Sequence, residues 1–200
     1  MKYFIVGLHS SGKQEVLDTL EKMDIKCGKL FTNLDEPHEE IYNSFNYIKY
    51  NDEDINSVFE NNAYIFIQEL PFTTLNFKPA VYYEGLSKYE FDQGEVFALS
   101  PDQFLAITPQ MIKEDVCFIW LDNTKNNRYT RYHNERRSYN FNNRDAHEKR
   151  DINTFIKTLH SFNGSPVMYF LDEEPTRVAT IIKNLIIHPD TFDMFVKNFN

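Results

Sequence analysis

The sequence predicts an α/β fold built around a mostly parallel central sheet. Three observations carry this prediction. Short apolar runs alternate with stretches of helical periodicity along the chain. The first apolar run leads directly into a glycine-bearing loop and then into a helical pattern. The 200 residues, 42% hydrophobic and 16% aromatic, are enough to bury one substantial core. No linker, internal repeat or low-complexity segment divides the chain, so one domain over residues 1–200 is expected.

The elements follow in order. Residues 2–6, KYFIV, read as a buried parallel strand. Between Gln14 and Met23 the apolar residues Val16, Leu17, Leu20 and Met23 recur at helical spacing. Between them stands GLHSSGKQE, Gly7 to Glu15, with the glycine, four-residue spacer, second glycine and lysine of a phosphate-binding loop. A strand before such a loop and a helix after it give the match its meaning, because loop amides and the helix N-terminus then point at phosphate. Further strands are expected at 63–68, 95–99, 116–121 and 167–171, with helices near 53–61, 101–112, 124–137, 145–162 and 174–187. Residues 37–51 and 70–87, rich in Asn, Glu, Tyr, Phe and Pro, read as irregular excursions of the kind that build a second-substrate site beyond the strand ends.

Charge narrows the ligand. The net charge of −9 argues against general nucleic-acid binding. No arginine precedes Arg128, yet residues 125–150 carry eight basic side chains against Glu135, Asp145 and Glu148, a net of +5 that leaves −14 for the remainder. Such a cluster suits a compact anion better than a long polyanion. Its alternative role is a solvated face paired with those three acids. Cys27 and Cys117 lie far apart without ligand spacing and read as reduced thiols. No signal peptide and no apolar span of membrane length is present, which fits a soluble cytoplasmic protein.

GLHSSGK, the Phe31-Thr32-Asn33 segment, VYYEGLS at 81–87, the arginine-bearing VCFIWLDNTKNNRYTRYHNERR and the closing VMYFLDEEPTRVATIIKNLI occur in the order seen in nucleoside monophosphate kinases. The chain resembles the guanylate kinase family and the bacteriophage deoxynucleoside monophosphate kinases. That resemblance implies a three-layer P-loop NTPase fold, with an acceptor-binding excursion at about 32–90 and an arginine-rich helical lid at about 123–150. It also implies phosphoryl transfer from ATP, with Mg²⁺, to a nucleoside or deoxynucleoside monophosphate, and thus nucleotide partners with neither nucleic acid nor membrane. The donor site would be Gly7, Leu8, His9, Ser10, Ser11, Gly12, Lys13 and Gln14, with Lys13, Arg128, Arg131, Arg144 and Arg150 as the catalytic cations. The acceptor site would include Thr32, Glu69, Tyr82, Tyr83 and Ser87. No residue is singled out as a metal ligand, and the oligomeric state stays open, a homodimer included. The Phe-, Tyr-, Asn- and Lys-rich composition suits an AT-rich coding source such as a bacteriophage.

Two departures from the family pattern shape the alternatives. Gln14 and Glu15 stand where a hydroxyl usually helps hold the Mg²⁺ shell, and a carboxylate near phosphates repels them. Leu34 stands in the position of an arginine that grips the acceptor phosphate, leaving Tyr82, Tyr83, Ser87, Lys78 or Lys88 to substitute. A catalytically weak guanylate-kinase-like binding or scaffold module is therefore the alternative function. A GTPase or sulfotransferase has little behind it, because TKNN at 124–127 lacks the acid of a guanine-reading motif. Asp122 reads as a helix N-cap rather than a metal-binding acid.

Overall fold

A computed structural model describes residues 1–34, 47–73, 79–107, 116–134, 141–142, 145–146, 152–161 and 167–189. Among these, strands are β1 (Lys2–Gly7), β2 (Leu30–Thr32), β3 (Tyr47–Lys49), β4 (Tyr64–Thr73), β5 (Pro79–Ser87), β6 (Val96–Leu99), β7 (Val116–Asp122) and β8 (Val167–Leu171). Helices are α1 (Lys13–Glu21), α2 (Asp52–Glu60), α3 (Lys88–Gln93), α4 (Pro101–Ala106), α5 (Lys125–Asn134), α6 (Ile152–Ser161) and α7 (Pro175–Ile187). Residues 35–46, Lys78, the tail of the predicted 101–112 helix, Glu135, Arg144, Glu148 and Arg150 lie outside the described set.

The central sheet has four parallel strands in the order β6-β1-β7-β8. Side chains alternate across it, as strand geometry requires. Tyr3, Ile5, Cys117 and Ile119 face one side, where Val16, Leu17 and Leu20 of α1 and Val178, Ile182 and Leu185 of α7 cover them. Phe4, Val6, Phe118 and Trp120 face the other, against Phe91 of α3, Phe104 of α4 and Phe155 of α6. Helices therefore sandwich the sheet, and the nearly continuous apolar runs of β1 and β7 follow from burial on both faces.

The second sheet departs from expectation. Its order is β3-β2-β5-β4, with β5 antiparallel to both neighbours. The 63–68 run, expected among the parallel strands, belongs here as part of β4, and the stretch read as irregular from Leu70 to Ser87 is mostly the ladder of β4 against β5. Pro71 and Pro79 disguised it in the sequence. Both are accommodated because β4 is an edge strand and Pro79 is the first residue of β5. Leu30, Ile65, Phe66 and Leu86 join the main core and weld the two sheets.

Helix starts carry strong local signals. Asn51 and Asp54 form a reciprocal capping box on α2, with bonds of 2.8 and 3.0 Å, and Ser100 and Gln103 form another on α4. The end of α3 is closed from afar. Lys2 Nζ donates to the carbonyls of Phe91 at 2.5 Å and Gly94 at 2.9 Å, and sits 4.7 Å from the Phe91 ring. Both cysteines are free, and burial first of all pushes each thiol up to about 12, which suits inert reduced thiols. No described helix is long and apolar enough to cross a membrane.

Lys2→Met would strip a buried helix end of its charged donor. It is expected to lower stability by about 1.5–3 kcal/mol, read as a lower urea midpoint at unchanged slope.

Candidate phosphate-binding site

The parallel register brings four strand ends to one edge of the sheet. Gly7 closes β1 opposite Leu121 of β7, Val6 lies opposite Leu99 at the end of β6, and Asp122 lies opposite Leu171 at the end of β8. Ligands of open α/β sheets bind beyond this carboxyl edge. The loop Leu8–Gly12 turns there between β1 and α1, and the turn needs its glycines. A Cβ at Gly7 would stand 2.5 Å from Ser11 Oγ, and Gly12, with φ of 90°, occupies the left-handed region as the N-cap of α1.

Lys13 folds back over this loop. Its Nζ donates to Gly7 O at 2.5 Å, Leu8 O at 2.8 Å and Ser11 Oγ at 3.5 Å, so the ammonium is held above the loop at the start of α1. Gln14 turns along the helix instead, donating from Nε2 to Asp18 Oδ1 at 2.7 Å. His9 is buried, its ring 4.7 Å from that of Phe141 in an edge-on arrangement, so this spacer side chain points inward rather than outward.

The segment after β7 braces the loop. Asn123 Nδ2 donates to Ser11 O at 2.7 Å, and Arg128 Nε donates to Asn123 O at 3.2 Å. Arg128 is only 1% exposed, and its Nη2 makes an ion pair with the buried Asp145. Its guanidinium lies 5.6 Å from the Phe141 ring, and its Nη1 has no hydrogen-bond partner among the described residues. Arg128 and Arg131, both expected among the catalytic cations, therefore separate in environment. Arg131 leaves α5 toward the loop, where Nη1 meets Glu15 Oε2 at 3.0 Å, and a Cβ added at Gly12 would land on that same nitrogen.

Asp122 does not cap α5. Tyr169 donates its hydroxyl to the Asp122 carboxylate, and Thr124 accepts from Asn127 N at 3.4 Å to cap the helix instead. That bond to Asp122 pushes the Tyr169 phenol up to about 12. Asp172, in the left-handed region at φ 51°, accepts from Thr124 N at 2.8 Å, and this backbone bond holds its carboxyl below the ordinary range.

The predicted acceptor residues scatter in role. Thr32 is fully buried, its Oγ1 accepting from Leu34 N at 3.2 Å, and Leu34 is itself buried. Ser87 caps α3 by accepting from Glu90 N at 3.2 Å, Tyr83 packs on Phe59 with ring centres 5.4 Å apart, and Glu69 is exposed on β4. The sequence reading missed Glu84. Its carboxylate is buried where β5 meets α4, accepting from Tyr47 Oη at 3.0 Å and Gln103 Nε2 at 2.6 Å through Oε2, and from Tyr82 Oη at 3.2 Å through Oε1. Gln103 also donates to Tyr47 Oη at 2.8 Å while its own oxygen accepts from Ser100 N at 2.9 Å. Desolvation dominates and raises the Glu84 carboxyl, though the bonds from Tyr47 and Gln103 pull it down. A carboxylate inside an otherwise apolar and aromatic strand, VYYEGLS, was the available signal.

Among the described residues no group of three or more His, Cys, Asp or Glu side chains is placed to hold a metal. A separate groove between Glu21–Cys27 and Glu90–Gly94 lies at the amino end of β6, away from the loop.

Arg128→Met removes the buried guanidinium from Asp145, leaving Lys125 Nζ at 3.9 Å, and is expected to cost about 3–5 kcal/mol, measured by urea unfolding. A raised carboxyl in the folded state means stability that is present below the unfolded value and lost as pH rises through the folded one. Wild type is therefore expected to lose stability relative to Glu84→Gln as pH climbs from 4.5 toward neutrality. Melting curves of both proteins across that range check this, and parallel curves would exclude it.

Neither a family model nor a curated protein sequence matches the chain. Among solved structures, the chain is similar to the crystal structure of guanylate kinase from Anaplasma phagocytophilum, with a TM-score of 0.51 at 13% identity over 92% of this chain and 83% of that one. The likeness is one of architecture: a guanylate-kinase-like P-loop α/β fold carries the loop at the carboxyl edge of its parallel sheet.

Proposed function

We propose that the protein transfers a phosphoryl group from ATP to a nucleoside or deoxynucleoside monophosphate. The observation that carries the proposal is the loop itself, with Lys13 folded over Gly7 and Leu8 at the strand-to-helix turn and Arg131 laid against Gly12. Phosphoryl transfer asks a protein chiefly for alignment, exclusion of water and neutralisation of equatorial charge. In this reading the amides of Leu8 to Lys13 cradle the donor phosphates, Lys13 exchanges its carbonyl partners for phosphate oxygens, and Arg131 neutralises charge on the transferring group. Arg144 and Arg150 belong to the same proposed lid. Arg128 acts there through Asn123 and Ser11 as a brace of the loop.

Mg²⁺ would be held here chiefly by the phosphates of the nucleotide, with Ser11, whose Oγ lies 3.5 Å from Lys13 Nζ, and Gln14 as the neutral side chains beside it. Bound there, it would supply further neutralisation of β- and γ-phosphate charge. The acceptor is proposed to lie along β2, β5 and the start of α4, where Glu84 fixes the hydroxyls of Tyr47 and Tyr82 and the amide of Gln103. The proposal places the protein in the cytoplasm, of the host if the source is a bacteriophage, with a homodimer as one admissible state.

One observation favours a second reading, a nucleotide-binding module without turnover. Leu34 is only 2% exposed and sealed into the core where the family grips the acceptor phosphate with arginine. Formation of ADP, followed over a panel of ribo- and deoxynucleoside monophosphates with Mg²⁺ or Mn²⁺, separates the two. Turnover with one acceptor is expected, and Lys13→Ala should cut it on the order of 10²–10³-fold, the loss typical of removing one charge-stabilising donor. ATP binding without turnover on any acceptor would establish the binding module instead.

A further inference from the structure

Glu15 is the residue that fits the phosphate-loop pattern worst, since a carboxylate two positions after the loop lysine sets a negative charge beside bound phosphates. Its surroundings give it a task. Lys13 and Arg131 are both cations at one loop, and without an intervening anion their repulsion drives the longer, more mobile arginine away from the lysine. Glu15 stands at the first turn of α1 and accepts Arg131 Nη1 at 3.0 Å, across 116 residues of sequence.

The fit around that nitrogen is close. A Cβ built at Gly12 would stand 2.1 Å from Arg131 Nη1, 2.9 Å from Pro175 Cγ and 3.1 Å from Glu15 Oε2. Gly12, Pro175 at the start of α7 and Glu15 thus form a slot that takes one edge of the guanidinium, and Arg131 is 17% exposed within it. A guanidinium has five N–H donors in a rigid fork. Among the described residues the remaining Arg131 nitrogens make no hydrogen bond, so the opposite edge stays available beside the loop.

We infer that Glu15 is a positioning residue that holds Arg131 by one edge over Gly12, so that the other edge meets the phosphates of a nucleotide. This rests on the phosphate-site reading proposed above. The pair replaces a hydroxyl after the loop lysine with a fixed arginine, and the net charge that Glu15 adds is offset by the cation it retains. Glu15 and the ligand therefore bind Arg131 together rather than compete for it.

The sign of one substitution separates this from simple electrostatics. Removing a carboxylate near an anion site strengthens anion binding if the carboxylate only repels or only sequesters Arg131. It weakens binding if the carboxylate aims the arginine. Calorimetric titration with inorganic tripolyphosphate reads this without turnover. Wild type is expected to bind, and Lys13→Ala to bind much more weakly. Glu15→Gln is expected to bind about 5- to 50-fold more weakly than wild type, within the range of coupling between contacting residues. In an Arg131→Gln background the same Glu15→Gln change should no longer weaken binding, because the arginine that Glu15 aims is gone. Glu15 is 47% exposed on a helix surface, so both variants are expected to fold, and matched melting curves confirm it. Unchanged or tighter binding by Glu15→Gln alone overturns the inference and leaves the phosphate site standing. Wild-type binding indifferent to Lys13→Ala overturns both.

Discussion

A guanidinium with almost no exposed surface has to be neutralised where it lies, and Arg128 imposes that condition on the carboxyl edge of the parallel sheet. Asp145 supplies the counter-charge, Phe141 supplies a ring face, and the carbonyl of Asn123 accepts from Nε–H. Once Asn123 is fixed by its carbonyl, its side-chain amide is aimed at Ser11 O. The conformation of the phosphate loop is thus set partly by its own glycines and partly by a buried cation 117 positions further along the chain. The loop is preorganised from both sides, and preorganised donors are what electrostatic stabilisation requires.

A comparable constraint joins the second sheet to the core. Glu84 carries a carboxyl group into a buried seam and draws donors from β3, β5 and α4. Gln103 is shared between two duties: its oxygen closes the capping box of α4, and its nitrogen serves Glu84 and Tyr47. The capping box at the carboxyl edge of the parallel sheet and the polar cluster of the second sheet are one network. Hydrogen bonds therefore join α4 to Glu84 beside the apolar contacts that already weld the two sheets.

Much of this was legible in the sequence because burial on two faces leaves continuous apolar runs, and β1, β6, β7 and β8 were read within a residue or so at each end. The loop was legible because its glycines and lysine are dictated by backbone geometry and charge. The antiparallel ladder of β4 and β5 was not, since Glu69, Pro71, Pro79 and Val81 are exposed and the two prolines among them interrupt the pattern. Glu84 was passed over because attention to VYYEGLS fell on its tyrosines and serine, whose roles prove to be packing, capping and service to the carboxylate between them. Asn123 gives no signal in isolation, since an asparagine after a strand reads as a turn residue.

Arg128 and Arg131 show how far spacing alone carries an argument. Three residues apart on a helix means neighbouring positions, not a shared environment. Arg128 lies on the side of α5 turned into the protein, where Asp145 and Phe141 enclose it, and Arg131 lies one turn on, where the helix passes over the start of α1. Both arginines are paired with acids, Arg128 with Asp145, which Lys125 also approaches at 3.9 Å, and Arg131 with Glu15, in a chain whose remaining residues are strongly acidic. At the proposed anion site a general excess of positive charge is therefore not the source of affinity. The proposal needs directed donors, from a guanidinium held by one edge and from a lysine that exchanges its present partners at Gly7, Leu8 and Ser11 for the ligand, and such donors favour a small, well-oriented anion over an extended one.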